Sequence, residues 1–332
     1  MASLEPVVSS PLRAAVVGAS GIGKHHAKWL AALGAEVVAI VGSSPETATA
    51  TAEALHEQLQ ISPRPYHDLC AMLAAEDPDL VHVCTPPHLH HAHVLALADH
   101  RCHLLCEKPL TWDDDKPGAQ LLAEAREMVA ATTRPERVTA VNLQYTAVPP
   151  AYYALLRTLG QEVKPPRQFF MHMDSRRERN VYEIIWRELS PHCLSVLAAF
   201  CGPGQVDYDT AELVLGERQD RARFAYVTAD GARCEAEIVV GTVLEGPLTR
   251  RFGINGVIAD YEGRNDEAGV FRTILKLDGA EQMSDDFMYL SVREMLLAVT
   301  AQQPRPLATL AEGLANEEMQ IGILARGRRA DG

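Results

Sequence analysis

The sequence predicts an α/β protein, with a doubly wound parallel sheet in its N-terminal part. An α+β region with a large, mostly antiparallel open sheet is predicted in the C-terminal part. Apolar runs alternate with helical patterns over residues 12–145, which is typical of βαβ units. Over residues 146–332, period-two runs and turn signals such as Ala229-Asp230-Gly231 replace that alternation. The 332 residues suffice for about two domains.

A strand, a glycine turn and a helix follow one another at the start of the first domain. Residues 14–17 form an apolar run of the kind found in buried parallel strands. The turn that follows reads Gly-Ala-Ser-Gly-Ile-Gly, so a serine stands at the second glycine of G-x-G-x-x-G. The first glycine allows a tight turn, the last lets the helix pack closely, and the helix N-terminus offers N–H groups to phosphates. The predicted dinucleotide-binding positions here are Gly18, Ser20, Gly21, Ile22 and Gly23.

The remaining elements follow from the same patterns. In the first domain we predict strands at 36–41, 80–84, 102–106 and 137–142, and helices after Ser44-Pro45 and at 68–75, 90–100 and 117–131. In the second domain we predict strands at 167–174, 211–216, 221–228, 234–243, 250–259 and 270–277. Helices are predicted there at 151–159, 191–201, 285–302 and 310–326.

Composition and charge exclude several classes of protein. The net charge of −13 argues against a nucleic-acid or anionic-membrane partner, and no apolar run reaches the length of a membrane span. Residues 1–11 lack the regions of a signal peptide and are expected to form a disordered leader. Seven scattered cysteines indicate reduced thiols rather than a disulfide framework, and hence a cytoplasmic protein.

Three stretches together resemble the glucose–fructose oxidoreductase/inositol dehydrogenase/MocA family of NAD(P)-dependent oxidoreductases. They are VVGASGIGKHHA, then CTPPHLHHAHVLAL with HLLCEKPLTW, and finally ELSPH. The resemblance implies a Rossmann domain followed by a domain whose open sheet packs against another subunit, giving a homo-oligomer. It implies a sugar, a cyclitol or a related polyhydroxylated alcohol or carbonyl as the substrate.

The same resemblance suggests roles for particular residues. It places Lys108 between nicotinamide and substrate, with Glu188 and His192 reaching in from the second domain. Moving a hydride from a carbinol carbon requires removal of the hydroxyl proton, which an amine or imidazole can take. Glu188 replaces the family's aspartate, and VYEIIWR stands where a glycine-rich run is usual. Further cofactor-binding positions are Thr85, Pro86, His90 and Glu107, together with Lys108.

The choice of dinucleotide depends on the end of the second strand. NAD-dependent enzymes place an acidic residue about twenty residues past the glycines, to hold the ribose 2′-hydroxyl. The sequence has Gly42-Ser43-Ser44 there, without a carboxylate. Ser43, Ser44 and the next helix N-terminus can accept a 2′-phosphate, and Arg64 is the nearest candidate cation. The sequence therefore favours NADP(H) over NAD(H).

Two other functions compete with this prediction. A non-catalytic dinucleotide sensor would use the same fold, although the presence of Lys108 and His192 argues against it. A metal-dependent hydrolase would need the histidines of the HLHHAH segment, His88, His90, His91 and His93, as ligands; we predict no metal site. Glu188 and His192 are four residues apart, and Pro191 between them suggests that the helix starts only there. A buried histidine satisfied by a nearby carboxylate is the structural alternative for this pair.

Overall fold

The computed structural model of the chain describes residues 6–8, 12–178 and 182–330. It divides into two compact units, the first formed by residues up to Leu143 and by Met288–Leu314, and the second by Gln144–Phe287 with the residues after Leu314. The second unit is thus interrupted by a segment of the first. This division differs from a single boundary at residue 145, because the predicted helix at 285–302 packs almost entirely with the N-terminal residues.

The first unit contains a six-stranded sheet in which every neighbouring pair is parallel. Its strands lie in the order β3-β2-β1-β4-β5-β6, which is the classic Rossmann order. They are β1 (Arg13–Val17), β2 (Glu36–Val41), β3 (Arg64–Tyr66), β4 (Leu80–Val83), β5 (His103–Cys106) and β6 (Thr139–Val141). The predicted doubly wound parallel sheet is confirmed.

Helices cover both faces of this sheet. Ala14 and Val16 of β1 belong to one apolar core, whereas Ala15 and Val17 belong to the other, because successive strand residues point to opposite faces. The helices of this unit are α1 (Gly23–Ala32), α2 (Pro45–Leu59), α3 (Leu69–Glu76), α4 (His90–Ala96), α5 (Gly118–Thr132) and nearly all of α8 (Phe287–Val299). A short 3-10 helix at Pro87–Leu89 precedes α4.

The second unit contains a nine-stranded sheet, mostly antiparallel, in the order β14-β13-β12-β11-β7-β10-β9-β8-β15. Only the pairs β7–β10 and β8–β15 are parallel among its described strands. The strands are β7 (Gln168–Ser175), β8 (Gly204–Leu215), β9 (Gln219–Thr228), β10 (Arg233–Thr242), β11 (Arg250–Ile254), β12 (Val257–Asn265), β13 (Phe271–Leu277), β14 (Ala280–Asp285) and β15 (Gly327–Arg329). The predicted mostly antiparallel sheet is confirmed.

The two faces of this sheet differ in character. Buried residues such as Phe224 and Ile238 face the helices, and Tyr152 packs its ring against Phe252 at 6.2 Å. The other face carries charged pairs, for example Arg223 Nε 3.0 Å from Glu237 Oε2. The helices of this unit are α6 (Val148–Thr158), α7 (Ile184–Cys201) and the second half of α9 (Leu310–Leu324).

One predicted strand is a hairpin instead. The segment predicted as a single strand at 250–259 is β11 and β12, joined at Asn255 and Gly256. Both turn residues have positive φ, 53° and 82°. Asn-Gly is the most favoured pair for a two-residue hairpin turn, because both positions need φ above zero. The turn signal was present in the sequence, and the prediction of one continuous strand was wrong.

Helix α7 begins seven residues before its predicted start, with Pro191 in its interior. A proline cannot donate to the carbonyl four residues earlier, which here is that of Arg187. Gln320 takes over this contact, since its Nε2 donates to Arg187 O at 2.9 Å. Asn316 Nδ2 donates to Pro191 O at 3.0 Å. Gln320 of α9 therefore supplies the donor that the proline removes, and Asn316 of the same helix adds a second contact to α7 at the proline itself.

Part of the expected leader packs on the first unit. Val7 N–H donates to Leu33 O at 3.0 Å, and Val8 is buried. Residues 1–5 and 9–11 of the predicted disordered leader lie outside the described residues. Within the described ranges, none of the helices has the length and apolar character needed to cross a membrane.

Candidate active site

The site of the first unit lies where the strand order reverses, between the carboxyl ends of β1 and β4. Gly18 N–H donates to Val41 O at 2.8 Å, and φ at Gly18 is 85°. A Cβ on Gly18 would lie 2.8 Å from Thr85 N. Only glycine fits between these two strand ends. This reversal point is where doubly wound sheets bind their ligands.

The turn into α1 has the form of a phosphate cradle. A Cβ on Gly23 would lie 2.5 Å from Gly18 O, whereas a Cβ on Gly21 would meet no atom within 4 Å. Ser20 is exposed, so the serine that replaces the second glycine stands on the open side of the turn. Ile22 is the N-cap of α1 and provides no side-chain cap, and no acidic residue lies in the first turn. These features fit the pyrophosphate of a dinucleotide, which the helix N-terminus attracts.

His90 ties together the two loops that follow β4 and β5. Its imidazole is fully buried, with Nε2 2.7 Å from Thr85 O and Nδ1 3.0 Å from Pro109 O. Burial lowers the pKa of His90, although both carbonyl contacts oppose that effect. Thr85 Oγ1 contacts His93 Nδ1 at 3.1 Å. Pro86 follows on the surface and accepts the Leu89 N–H through its carbonyl at 2.9 Å.

Glu107 directly follows β5, and two polar side chains contact its buried carboxylate. His26 Nε2 lies 2.8 Å from Glu107 Oε1, and Asn142 Nδ2 donates to the same oxygen at 2.6 Å. Burial by itself raises the pKa of Glu107, but these hydrogen bonds and the charges of His26 and Lys108 lower it to about 2. Glu107 is therefore ionised at neutral pH and accepts from both neighbours.

Lys108 is half-buried directly after Glu107. Its N–H donates to Glu107 Oε2 at 3.2 Å, and the peptide bond to Pro109 is cis. The backbone of Glu107 is held from the neighbouring strand, because its N–H donates to Val83 O at 2.9 Å. The turn that presents Lys108 is thus anchored by both the side chain and the backbone of Glu107.

The end of β2 differs from the expectation for a 2′-phosphate site. The N-terminus of α2 is capped by its own side chains: Thr47 N–H donates to Ser44 Oγ at 3.2 Å, and Ser44 N–H donates to Thr47 Oγ1 at 2.9 Å. Pro45 has no N–H to offer. Glu46 is exposed in the first turn, where hydrogen bonds from Ser44 and from its own N–H lower its pKa. Of the two predicted positions, only Ser43 keeps an exposed hydroxyl at the strand end.

Arg64 does not reach this position. It lies within β3, paired opposite Ala39, two residues before the strand end at Val41 and Tyr66. Its guanidinium is 3.2 Å from Glu76 Oε1, which also accepts from Tyr66 Oη at 2.6 Å. The expectation that Arg64 approaches Ser43 is wrong, because strand register and the Glu76 carboxylate hold it elsewhere.

In the second unit, Glu188 and His192 both lie within α7 and share a face, four residues apart. Glu188 Oε1 is 3.5 Å from Arg187 Nη2 and 3.6 Å from Arg177 Nη1. The ring of His192 lies against that of Tyr145, with 4.8 Å between centroids. The idea that Pro191 leaves Glu188 outside the helix is wrong. Residues 179–181, which precede α7, lie outside the described residues.

Sequence reasoning missed the aromatic and basic side chains next to His192. Tyr145 is buried and contacts Tyr261 at 5.9 Å between centroids. Burial and the neighbouring Tyr261 raise the pKa of Tyr145 well above its ordinary value. The guanidinium of Arg250 lies 5.7 Å from the Tyr261 ring. Strand pairing brings Arg250 and Tyr261 to this place, and no local motif marks either residue.

The histidines after β4 face different partners. His91 Nε2 contacts Glu127 Oε2 at 2.9 Å, whereas both nitrogens of His90 face backbone carbonyls. No group of three or more histidine, cysteine or acidic residues converges on one point within residues 6–8, 12–178 and 182–330. The arrangement offers nothing in favour of the hydrolase alternative.

The sheet order, the glycine turn at the reversal point and the uncapped α1 N-terminus define the class: a dinucleotide-binding protein with a Rossmann unit. Residues 12–143 match the profile of GFO_IDH_MocA, an oxidoreductase family with an NAD-binding Rossmann fold. Over these residues, about two fifths of the chain, the protein is similar to this family.

Two sequence relatives act on sugars according to their names. D-glucoside 3-dehydrogenase of Escherichia coli (strain K12) is 33% identical over 141 residues, which cover 42% of this chain and 36% of that protein. The match therefore spans little more than a third of that relative. D-apiose dehydrogenase of Paraburkholderia graminis is 27% identical over 313 residues, covering 89% of this chain and 74% of that protein.

The fold as a whole also has a counterpart among solved structures. UDP-N-acetylglucosamine 3-dehydrogenase GnnA from Acidithiobacillus ferrooxidans matches with a TM-score of 0.71 at 19% identity, over 96% of this chain and 98% of that chain. At this identity the match shows a shared fold.

Proposed function

We propose that the protein is an NAD(P)-dependent oxidoreductase that transfers a hydride between nicotinamide and a sugar, a cyclitol or a related polyhydroxylated compound. The observation that carries this proposal is the pairing of a phosphate cradle at Gly18–Gly23, after β1, with the anchored Glu107–Lys108 turn, after β5, at the carboxyl edge of one parallel sheet. The two sugar dehydrogenases among the relatives support the substrate class.

The bound nicotinamide would supply or accept the hydride. Oxidation of a carbinol breaks the C–H bond, sends its electron pair to the cofactor and leaves the hydroxyl proton to a base. Lys108 and His192 are our candidates for taking that proton and returning it in the reverse direction. Glu188 is the candidate for orienting a substrate hydroxyl or His192, and the two arginines near its carboxylate keep it in place.

We retain NADP(H) as the proposed dinucleotide, on the basis of the missing carboxylate at Gly42-Ser43-Ser44. A Cβ at Gly42 would lie 2.8 Å from Ala48 N, so the close approach of α2 excludes an acidic side chain at that residue. The exposed hydroxyl of Ser43 supports a 2′-phosphate, whereas the carboxylate of Glu46 opposes one. The preference rests on the strand end alone.

Two further expectations stay proposals. Self-association would use the charged face of the nine-stranded sheet, with a mass of two or four chains in light scattering. A mass of one chain at micromolar concentration would contradict it. The cytoplasmic location predicted from the scattered cysteines is likewise a proposal.

The decisive test is a fluorescence titration with NADPH and NADH, followed by turnover on a panel of sugars and cyclitols. We expect tighter binding of NADPH, and turnover that Lys108→Ala lowers by at least about a hundredfold. A Lys108→Ala variant with full turnover would contradict the role of Lys108. Equal or tighter binding of NADH would contradict the dinucleotide preference, and no binding of either dinucleotide would contradict the enzyme itself.

A further inference from the structure

A chain of buried polar side chains runs beneath the turn that carries Lys108. His82 in β4, His26 in α1 and Glu107 after β5 are each less than a tenth exposed. His82 Nδ1 is 2.9 Å from His26 Nδ1, and His26 Nε2 is 2.8 Å from Glu107 Oε1. The three residues come from three separate elements, and no role assigned above requires two histidines in this core.

The direction of these contacts follows from simple chemistry. An ionised carboxylate only accepts hydrogen bonds, so His26 Nε2–H is the donor to Glu107. One proton lies between the two Nδ1 atoms, because two N–H groups or two lone pairs would repel each other. Burial lowers the pKa of His82 well below its ordinary value, so His82 is neutral. Its Nε2 has no hydrogen-bond partner among the described residues.

His26 therefore occupies a central place in the first unit. It lies three residues after Gly23, on the helix whose N-terminus forms the phosphate cradle. Its ring touches the carboxylate that receives the Lys108 N–H. We propose that His26 is a positioning residue, which holds the Glu107 carboxylate in place and so couples the cradle helix to the turn that presents Lys108. The effect of His26 on catalysis rests on the proposed function, whereas its effect on the Glu107 carboxylate does not.

The environment of Glu107 determines what loss of this contact does. Asn142 remains as the second donor to Oε1. Burial alone raises the pKa of Glu107, so removal of the His26 contact shifts that pKa upward from about 2. The titratable groups that interact with this carboxylate are His26, Cys84, His90 and Lys108, and His82 reaches it only through His26.

A matched pair of amide substitutions separates the two contacts of His26. In His26→Gln the amide can occupy the place of Nε2 and donate to Glu107, whereas in His26→Asn it reaches only the place of Nδ1, towards His82. The test is a fluorescence titration of each variant with the dinucleotide at several pH values. For His26→Asn we expect affinity to fall by about tenfold near pH 5 and to recover as pH rises. His26→Gln should restore most of the affinity and the wild-type pH profile.

A second readout does not need cofactor or substrate. In urea unfolding of the free protein, the stability lost between about pH 4.5 and pH 2 should be smaller in His26→Asn than in His26→Gln or the wild type, because the pKa of Glu107 then no longer lies far below its unfolded value. In a Glu107→Gln background, His26→Asn should add less than about twofold to the change in affinity, because it acts through Glu107. Equal losses in both His26 variants, with unchanged pH profiles, would overturn the proposal. If the wild type bound neither dinucleotide, the proposed function would fail, while the unfolding comparison would still test the His26–Glu107 link.

Discussion

Gly18 and Gly23 show how far single residues could be predicted. Their roles in the turn follow from sequence spacing, and a Cβ at either position would meet backbone atoms under 3 Å away. The partners of Glu107 could not be predicted in this way. His26 and Asn142 lie 81 and 35 residues from it in sequence; the packing of α1 brings His26 to Glu107, and the parallel strand register brings Asn142 there.

Replacing Gly23 by alanine tests the cradle at the scale of one residue. The new Cβ would lie 2.5 Å from Gly18 O, so the backbone must shift. We expect a loss of about 1–3 kcal/mol in the free energy of unfolding and much weaker dinucleotide binding. Gly21→Ala is the matched control for stability, because a Cβ there meets nothing within 4 Å. A Gly23→Ala protein as stable as Gly21→Ala in urea would contradict the predicted collision.

Helix α7 shows why element boundaries are harder to predict than elements. Pro191 favoured a helix start, since proline is best tolerated in the first turn. The helix instead runs through Pro191, and Gln320 of another helix donates to the Arg187 carbonyl that the proline leaves without a donor. Local propensity was overridden by tertiary contacts that no window of sequence around residue 191 contains.

The substitution Gln320→Leu tests this compensation. It leaves the partly buried carbonyl of Arg187 without this donor, and we expect the free energy of unfolding to fall by about 1–3 kcal/mol. Pro191→Ala would restore an N–H four residues after Arg187. In urea unfolding, the loss caused by Gln320→Leu should therefore be smaller in the Pro191→Ala background than in the wild type. Strictly additive effects of the two substitutions would show that Gln320 does not compensate for the proline.

At the scale of the whole molecule, two buried carboxylates with lowered pKa values belong to the first unit. Glu107 is one, and Glu76, held by Tyr66 and two arginines, is another. Burial opposes both lowered pKa values, whereas hydrogen bonds and positive charges produce them. The carboxylates with lowered pKa in the second unit, such as Asp266 and Glu281, lie at the surface.

Acid should therefore unfold the first unit before the second. Because the pKa of Glu107 is about 2 instead of 4.5, its contribution is complete above about pH 4.5 and is lost as pH falls towards 2. The loss amounts to about 3 kcal/mol. Amide hydrogen exchange read by mass spectrometry can follow peptides of each unit between these pH values. Earlier loss of protection in peptides from β8–β10 than in those from β1–β5 would contradict this expectation.

The sequence by itself predicted the class of fold, the glycine turn after β1 and the resemblance to a family, because these depend on periodicity, glycine spacing and short motifs that are local in the chain. The tertiary structure alone decided the length of α7, the position of Arg64 and the His82–His26–Glu107 chain. Each of these depends on strand register or on contacts between elements distant in sequence. Such contacts are set by burial and by pairing of polar groups across the whole core, which no local pattern records.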